Sequence, residues 1–471
     1  MYQRLLSTHL SRSRPFCLFG ARGVGKTTLI REFAGKFSNY IHLDLETTVD
    51  RAIFNFDASA GETLKAISFL KGKELRGSGT LIVLDEPAGC PEALRWISAL
   101  TEQVQQGQPD PQMPFLVAVS SVVTRETDLL TDRLTGSMKA CFLYPFSFEE
   151  FLPVMGDPAA LEAFLEVPVP LYAYEKLLNY FHLYSLIGGM PEITSEYAEN
   201  RHLTALQNLY ERIEDRFIQG LHEVTQGTKS RELATDVLQN TYPFAATRIS
   251  FNRFGNLEKG SREIGLAFKA LENAFFLRMV YPGISTVLPQ VPDTSRFPRL
   301  QMLDTGLVNY FSGIQKPLFQ SHDMNAIFEG QIARQVVGQE ILATADGHMT
   351  SSFPGLTTHE QQQLPREGMP VLNFWTRGKA QSTAEVDFMI PFNDLLIPVV
   401  VRSGEPGRLR SLHQFIDASP HNFAVRLYAG KLGVQQTQTL RGKKFFLLNL
   451  PYFLAGKIGE HLKGFIRLAN G

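Results

Sequence analysis

The fold of this chain is decided near its N-terminus by Phe16-Cys17-Leu18-Phe19-Gly20-Ala21-Arg22-Gly23-Val24-Gly25-Lys26-Thr27-Thr28-Leu29-Ile30. This stretch contains the pattern G-x-x-x-x-G-K-[ST] in full. A short apolar run precedes the pattern, and apolar residues at helical spacing follow it as far as Phe33. The sequence therefore predicts a buried strand, a phosphate-binding loop and a helix, in that order.

The residue types of the loop suit an anion. Glycine allows backbone conformations that are closed to other residues, so that successive N–H groups can point into one concavity. The start of the following helix adds a partial positive charge. Lys26 is expected to reach the β- and γ-phosphates of ATP, and the Thr27 hydroxyl to bind Mg²⁺. The predicted ATP-binding residues are Gly20, Ala21, Arg22, Gly23, Val24, Gly25, Lys26, Thr27 and Thr28.

A second buried strand ends in two carboxylates. Four apolar residues, 81–84, precede Asp85 and Glu86. Asp85 is expected to hold Mg²⁺ through its water shell, and Glu86 to act as the general base on the attacking water, so the pair favours hydrolysis over passive binding. The alternative is an ordinary buried strand with an acidic exit loop.

Two further apolar runs indicate strands of the same sheet. The run 114–119 is followed by Ser120 and Ser121, and Ser120 is a candidate catalytic hydroxyl for the γ-phosphate or the water. Serines also end strands for turn reasons alone. The run 41–45 is the other strand, and the alternation of strands with helices predicts a mostly parallel sheet.

Composition bounds the class of protein. The 471 residues indicate about three domains. With 44% apolar and 20% charged residues, disordered and low-complexity classes are excluded. A net charge of −1 gives no chain-wide field for nucleic acid or anionic membrane, and the apolar runs are far shorter than the roughly 20 residues of a membrane span. Three scattered cysteines exclude a disulfide framework and favour a cytoplasmic location.

Six further motifs follow along the chain. They are Leu143-Tyr-Pro-Phe-Ser-Phe-Glu-Glu-Phe151, Ile187-Gly-Gly-Met-Pro191, Ala270-Leu-Glu-Asn-Ala274, Leu303-Asp-Thr-Gly-Leu307, Val337-Gly-Gln-Glu-Ile341 and Ala384-Glu-Val-Asp-Phe388. With the phosphate-binding loop and the Asp85-Glu86 pair, they resemble a family of bacterial and archaeal AAA-type P-loop ATPases. That family carries a C-terminal domain of unknown function with a restriction-endonuclease-like core.

The chain departs from this family at a position near the end of the ATPase core. The family usually has Gly-Arg there, whereas Gly136 is followed by Ser137. If that arginine stabilises the transition state, Arg133 or Arg125 has to replace it. An arginine finger is worth about 10³ to 10⁵ in rate, so slow turnover is expected.

The nuclease-like domain also departs from the pattern that metal binding needs. Such cores place an Asp on one strand and Glu-x-Lys on the next, because two carboxylates hold Mg²⁺. The strand predicted over 385–390 offers Asp387, but the next strand has Val400 and Arg402 at the Glu and Lys positions, and an upstream helix has Arg334. We predict an inactive nuclease module that serves in packing, or that binds phosphate or a protein surface through Arg402 and Arg334.

The middle of the chain reads as mainly helical. Helices are predicted over 171–187 and 203–217, and the glycines at 188 and 189 predict the end of the first. Residues 231–282 resemble a winged helix, a module that binds DNA in some proteins and is an inter-domain lid in related ATPases. The cations that could face DNA are Arg253, Lys259, Arg262 and Lys269, and they are diluted by Glu263 and Glu272.

These patterns together predict an α/β fold class with a P-loop NTPase core, a helical and winged-helix middle, and an α/β restriction-endonuclease-like C-terminal domain. The predicted domains are 1–152, 153–228, 229–290 and 295–471. The predicted function is slow Mg-ATP hydrolysis coupled to rearrangement of the last two domains. A nucleotide-gated scaffold without useful turnover and an ATPase acting on nucleic acid are the alternatives. An unidentified protein partner and homo-oligomers are compatible with the sequence, and no membrane association is expected.

Overall fold

A computed structural model describes residues 4–55, 58–106, 113–130, 138–316, 330–344, 371–378, 384–402 and 409–470. The helices of these residues are α1 (Lys26–Ala34), α2 (Thr48–Ala52), α3 (Ala60–Lys71), α4 (Pro91–Gln106), α5 (Arg125–Leu130), α6 (Phe148–Val154), α7 (Pro158–Leu165), α8 (Tyr174–Ile187), α9 (Pro191–Asn200), α10 (Gln207–Gly220), α11 (Thr228–Thr241), α12 (Ser261–Asn273), α13 (Thr305–Phe311), α14 (Gln331–Ala343), α15 (Arg410–Ala418) and α16 (Ile458–Asn470). The strands are β1 (Phe16–Phe19), β2 (Asn39–Asp44), β3 (Thr80–Asp85), β4 (Phe115–Ser120), β5 (Lys139–Phe142), β6 (Leu277–Val280), β7 (Pro282–Gly283), β8 (Arg299–Met302), β9 (Phe374–Thr376), β10 (Glu385–Val386), β11 (Phe388–Phe392), β12 (Leu395–Val401), β13 (Phe423–Tyr428), β14 (Gly433–Gln438) and β15 (Lys444–Pro451).

The first five strands form one parallel sheet with the order β2-β3-β4-β1-β5. Strands β1 and β4 are buried at every position, which is why they read as continuous apolar runs. Because the strands are parallel, their carboxyl ends share one edge, where Phe19 pairs with Ser120 and Asp44 with Asp85. The four strands predicted for this sheet and their parallel arrangement are confirmed.

The helical middle runs from α6 to α12 and ends in a pair of strands. Helix α8 stops at Ile187 and α9 starts at Pro191, as the intervening glycines predict. Strand β6 follows α12 and pairs antiparallel with β8. Since β8 begins at residue 299, this ladder crosses the predicted domain limit at 290.

The C-terminal part combines a mixed sheet with helices. Its five strands have the order β11-β12-β13-β15-β14, with the central pairs parallel and the outer pairs antiparallel. The prediction of one continuous strand over 385–390 is wrong, because the strand is interrupted at Asp387. Strand β10 before it joins a small sheet with β9 and β7, and β11 after it joins the larger sheet. The α/β character of this region is confirmed.

A buried polar network joins four segments that are distant in sequence. Gln339 Nε2 lies 3.4 Å from Asp304 Oδ2 and donates to the Tyr184 hydroxyl over 2.9 Å. The Tyr184 oxygen lies 2.7 Å from Glu340 Oε1, which accepts the Phe148 N–H at 2.9 Å. The network ties the start of α6 to α8, to the start of α13 and to α14.

Helices that are both long and apolar enough to cross a membrane are absent from the described part of the chain.

Candidate active site

The loop between β1 and α1 has the backbone of an anion-binding turn. Gly25, the N-cap of α1, has φ +97°, a left-handed conformation that favours glycine. A Cβ on Gly20 would lie 2.3 Å from the Leu143 carbonyl oxygen, so only glycine fits against the segment after β5. The amino end of α1 therefore lies at the carboxyl edge of the sheet, and the first N–H groups and the dipole of such a helix end favour an anion.

Lys26 lies at the base of this loop and is 7% exposed. Its Nζ donates to the carbonyl oxygens of Gly20 at 2.8 Å and Ala21 at 3.2 Å, and lies 3.8 Å from Glu86 Oε1. Burial lowers the pKa of Lys26, while the charges of Glu86 and Asp85 oppose that shift. Thr27 beside it is half-buried, and Thr28 is exposed.

The two acidic residues after β3 have different partners. Asp85 Oδ2 lies 3.0 Å from Nε2 of His42, which is on the neighbouring strand β2. Glu86 has a left-handed backbone, and its Oε2 accepts hydrogen bonds from Ser121, at 2.8 Å from the backbone N and 3.0 Å from the hydroxyl. Burial raises the pKa of Glu86, and Lys26 opposes that rise. The structure thus places Lys26, Asp85 and Glu86 together at the loop.

The two serines after β4 are used differently. The Ser120 hydroxyl donates to the Val122 carbonyl at 2.8 Å, and the Ser120 carbonyl accepts the Gly20 N–H at 3.2 Å. The hydroxyl that contacts a site carboxylate is that of Ser121. Ser120 therefore positions the loop through its backbone, and its side chain serves the turn that ends the strand.

Three residues at the loop were not singled out from the sequence. Arg4 is buried, and its Nη1 donates to the Val24 carbonyl at 2.7 Å while its Nε lies 2.9 Å from Glu150. Glu223 binds Arg22 from the helical middle, and His42 binds Asp85. These contacts join residues far apart in the chain or on different strands, and no motif marks them.

Of the two candidates for a replacement arginine, Arg125 is among the described residues. Arg125 is exposed at the start of α5 and lines a cleft of about 410 Å³ between this segment and the helical middle, which Glu223 and Lys269 also line. Arg133 and Ser137 lie outside the described residues.

In the C-terminal part, the carboxylate expected at a nuclease metal site is engaged by protein groups. Asp387 Oδ2 accepts the Val401 N–H at 2.8 Å and lies 3.1 Å from Arg402 Nη1. Glu385 lies 3.4 Å from the buried Arg299. No group of three or more His, Cys, Asp or Glu residues that could hold a metal occurs among the described residues.

Comparison with known proteins agrees with the geometry of the loop. Residues 12–152 match the model of the AAA domain family, and residues 178–318 match a domain of unknown function, DUF8612. The second match covers α8 to α13 rather than the C-terminal sheet. None of the curated proteins compared with the chain matches it.

Solved structures that match the chain do so with low sequence identity and low TM-scores. The Aeropyrum pernix ORC1 protein in complex with DNA is 14% identical, with a TM-score of 0.27, 67% of this chain covered and 90% of that one. The replication initiator DnaA bound to AMPPCP and single-stranded DNA is 15% identical, with a TM-score of 0.27, 57% of this chain covered and 85% of that one. A single-residue variant of Thermotoga maritima RuvB is 15% identical, with a TM-score of 0.26 and coverages of 58% and 85%. The family model matches residues 12–152, and the glycine loop with its parallel sheet gives this part of the chain a P-loop NTPase core.

Proposed function

We propose that this chain binds ATP with Mg²⁺ and hydrolyses it slowly. The observation that carries the proposal is the convergence of Lys26 and Glu86 at the glycine loop, with Lys26 Nζ 3.8 Å from Glu86 Oε1. A cation for phosphates and a buried carboxylate for water are the two groups that hydrolysis of a triphosphate needs from the protein. Ser121 holds that carboxylate with two hydrogen bonds.

Oxygen donors at the site suit Mg²⁺. This ion is held by one or two protein oxygens together with substrate phosphates rather than by a cage of side chains. The Thr27 hydroxyl and the Asp85 carboxylate are the proposed ligands, and Asp85 Oδ2 is oriented by His42 at 3.0 Å. When bound, the ion neutralises charge on the β- and γ-phosphates.

The roles of the chain's own residues follow from their positions. The N–H groups of the loop and Lys26 bind the phosphates. Glu86 accepts a proton from water while the water oxygen bonds to the γ-phosphorus, the bond to the bridging oxygen breaks, and ADP and phosphate leave. Ser137 stands where related sequences carry an arginine, so a cation that would speed this step is missing from that position.

Coupling to the rest of the chain is supported by the buried network. Glu340 on α14 accepts the N–H of Phe148, which is at the start of α6, the helix that closes residues 12–152. We propose that nucleotide state is passed to a winged-helix unit, 229–290, and to a nuclease-like unit, 295–471, through the helical region 153–228. Arg402 beside Asp387 supports a nuclease-like unit without nuclease activity, because a guanidinium already neutralises the carboxylate that a metal would need.

The test compares phosphate release from Mg-ATP by the wild type, Lys26→Ala and Glu86→Gln. Loss of a general base typically costs about 10² to 10⁴ in rate, so Glu86→Gln is expected to retain ATP binding but lose turnover. Lys26→Ala is expected to lose binding as well. Glu74→Gln, a change at a side chain that is 81% exposed, is the matched control and is expected to behave as wild type. Equal phosphate release from all four proteins would disprove the ATPase proposal, and tight ATP retention without release by the wild type would favour the scaffold.

A second candidate function, action on nucleic acid, is supported by the exposure of Arg253, Lys259 and Arg262 before and at the start of α12. Glu258 and Glu263 are also exposed there. Duplex DNA binding that weakens steeply with salt, and ATP turnover raised by DNA, are the expected signs. If neither is seen at low salt, this candidate is discarded.

A further inference from the structure

Arg22 of the phosphate-binding loop is held from two sides. Its Nη2 lies 2.6 Å from Glu46 Oε1 and 2.7 Å from Glu223 Oε1. Glu46 is in the segment after β2, and its side chain is half-exposed. Glu223 ends the short 3-10 helix Leu221–Glu223 that follows α10, and its side chain is 9% exposed. A side chain of the loop is therefore bound by the helical middle.

The contact between Arg22 and Glu223 leaves polar atoms unsatisfied. Arg22 Nε and Glu223 Oε2 are both buried, and neither has a hydrogen-bond partner within the described part of the chain. Buried donors and acceptors without partners cost free energy. An unsatisfied N–H donor on the phosphate-binding loop is suited to an anionic oxygen.

The charges around the contact between Arg22 and Glu223 favour a change of partner at Arg22, from Glu223 to a phosphate, when a phosphate binds nearby. Two cations, Arg22 and Lys26, are near three buried or half-buried carboxylates, Asp85, Glu86 and Glu223. Each added negative charge near Glu223 is repelled by it and attracted by Arg22. Lys26 of such a loop reaches the β- and γ-phosphates, so these charges act at the γ-phosphate end of a bound nucleotide.

We propose that Glu223 sets the preference between ATP and ADP by competing with the γ-phosphate for the Arg22 guanidinium. This inference rests on the proposed function. ATP binding replaces Glu223 by a γ-phosphate oxygen at Arg22 and releases the segment after α10, whereas ADP leaves Arg22 and Glu223 paired. Glu223 is a specificity-determining residue, and it links the nucleotide to the helical middle.

The experiment measures the affinities of a non-hydrolysable ATP analogue and of ADP, both with Mg²⁺, by calorimetry. Glu223→Gln removes the repulsion and frees Arg22, so the affinity for the analogue is expected to rise about tenfold more than that for ADP, within the usual range of coupling between sites. Glu223→Ala is expected to act in the same direction and is the second variant if the first does not fold. Glu46→Gln is the matched control, because it removes the other, half-exposed partner of Arg22, and no change in the ATP to ADP ratio is expected.

Hydrogen exchange gives a second readout. In the wild type, the backbone amides of residues 221–226 are expected to exchange faster with the ATP analogue than with ADP, and Glu223→Gln is expected to abolish this difference. Equal changes in both affinities, or the same change in ratio from Glu46→Gln, would overturn the inference and leave the ATPase proposal intact. A wild type that binds neither nucleotide would overturn both.

Discussion

Glu86 and Ser121 join the ends of β3 and β4: Glu86 Oε2 accepts the Ser121 backbone N–H at 2.8 Å and its hydroxyl at 3.0 Å. These bonds fix the carboxylate beside Lys26. Burial nevertheless raises the pKa of Glu86, with Lys26 and the Ser121 backbone opposing and the Glu223 charge adding to the rise. Ser121 sets the position of the Glu86 carboxylate, whereas several neighbours together set its pKa.

This balance predicts the pH dependence of ATP hydrolysis. A base must be deprotonated to accept a proton, so a raised pKa moves the loss of activity on acidification to a higher pH than an ordinary glutamate, about 4.3, would give. Glu223→Gln is expected to move that loss to lower pH, because it removes a negative charge that raises the pKa of Glu86. The measurement is kcat/KM against pH for both proteins, because this ratio reports the groups of the free enzyme, with folding checked at each pH. An acid limb that is unchanged by Glu223→Gln would contradict the prediction.

Arg4 is predicted to be essential for the loop although it lies outside the motif. Its guanidinium pairs with the buried Glu150 and donates to the Val24 carbonyl. Arg4→Ala leaves Glu150 uncompensated, and breaking a buried pair in this way costs about 3–5 kcal/mol. We expect a lower unfolding temperature and weaker ATP binding. Arg12→Ala, at an exposed arginine nearby, is the control, and a similar loss in both variants would refute the role assigned to Arg4.

What the sequence could predict of the site follows from how local each signal is. Lys26 and Asp85 are specified by patterns within about ten residues, a loop after one strand and an acid after another, so they could be placed in advance. Glu223 contacts Arg22 across 201 residues, and no local pattern predicts such a contact. Alternation also could not decide which of two adjacent serines reaches Glu86, because the period of two is lost where the strand ends.

The same distinction applies to the fold. Strands β1, β3 and β4 are continuous apolar runs and were predictable, since parallel strands are buried on both faces. The interruption at Asp387 was not predictable, because polar and apolar residues alternate around it as they would in one continuous strand. The break comes from tertiary contacts, in which Asp387 accepts the Val401 N–H and pairs with Arg402.

Gly188 is predicted to tolerate no side chain. Its φ is +83°, and a Cβ there would lie 2.0 Å from Asp304 Oδ1. Strain and overpacking together lead us to expect that Gly188→Ala lowers the free energy of unfolding by about 2–4 kcal/mol. Gly464→Ala is the control, because Gly464 lies in α16 with open space around it, and alanine there is expected to stabilise the helix by about 0.5–1 kcal/mol. The free energies of unfolding of both variants are measured by urea unfolding. A Gly188→Ala protein as stable as wild type would contradict the prediction and show that Asp304 can move.

The contact between Tyr184 and Glu340 indicates a proton that the folded chain retains. The Tyr184 hydroxyl has one hydrogen, yet its oxygen lies 2.8 Å from the Phe146 carbonyl oxygen and 2.7 Å from Glu340 Oε1. One hydrogen can make only one strong bond to these two acceptors, and protonation of Glu340 would supply the second, with the carboxyl donating to Tyr184. Burial likewise raises the pKa of Glu340 to about 8, and that of Asp304 to about 6.

Stability is therefore expected to fall as pH rises. Between the unfolded pKa of Glu340, about 4.3, and its folded value of about 8, the folded state binds more protons than the unfolded state, so the free energy of unfolding decreases with increasing pH. The contribution of Glu340 to the free energy of unfolding is fully present below about pH 4 and is lost as the pH rises to about 8. At about 1.4 kcal/mol per pKa unit, this loss amounts to a few kcal/mol. Glu340→Gln keeps a neutral donor beside Tyr184, so its unfolding temperature should fall less between about pH 6 and about pH 9 than that of the wild type. Glu258→Gln, at an exposed position, should follow the wild type, and parallel curves for all three proteins would mean that Glu340 is charged in the folded chain.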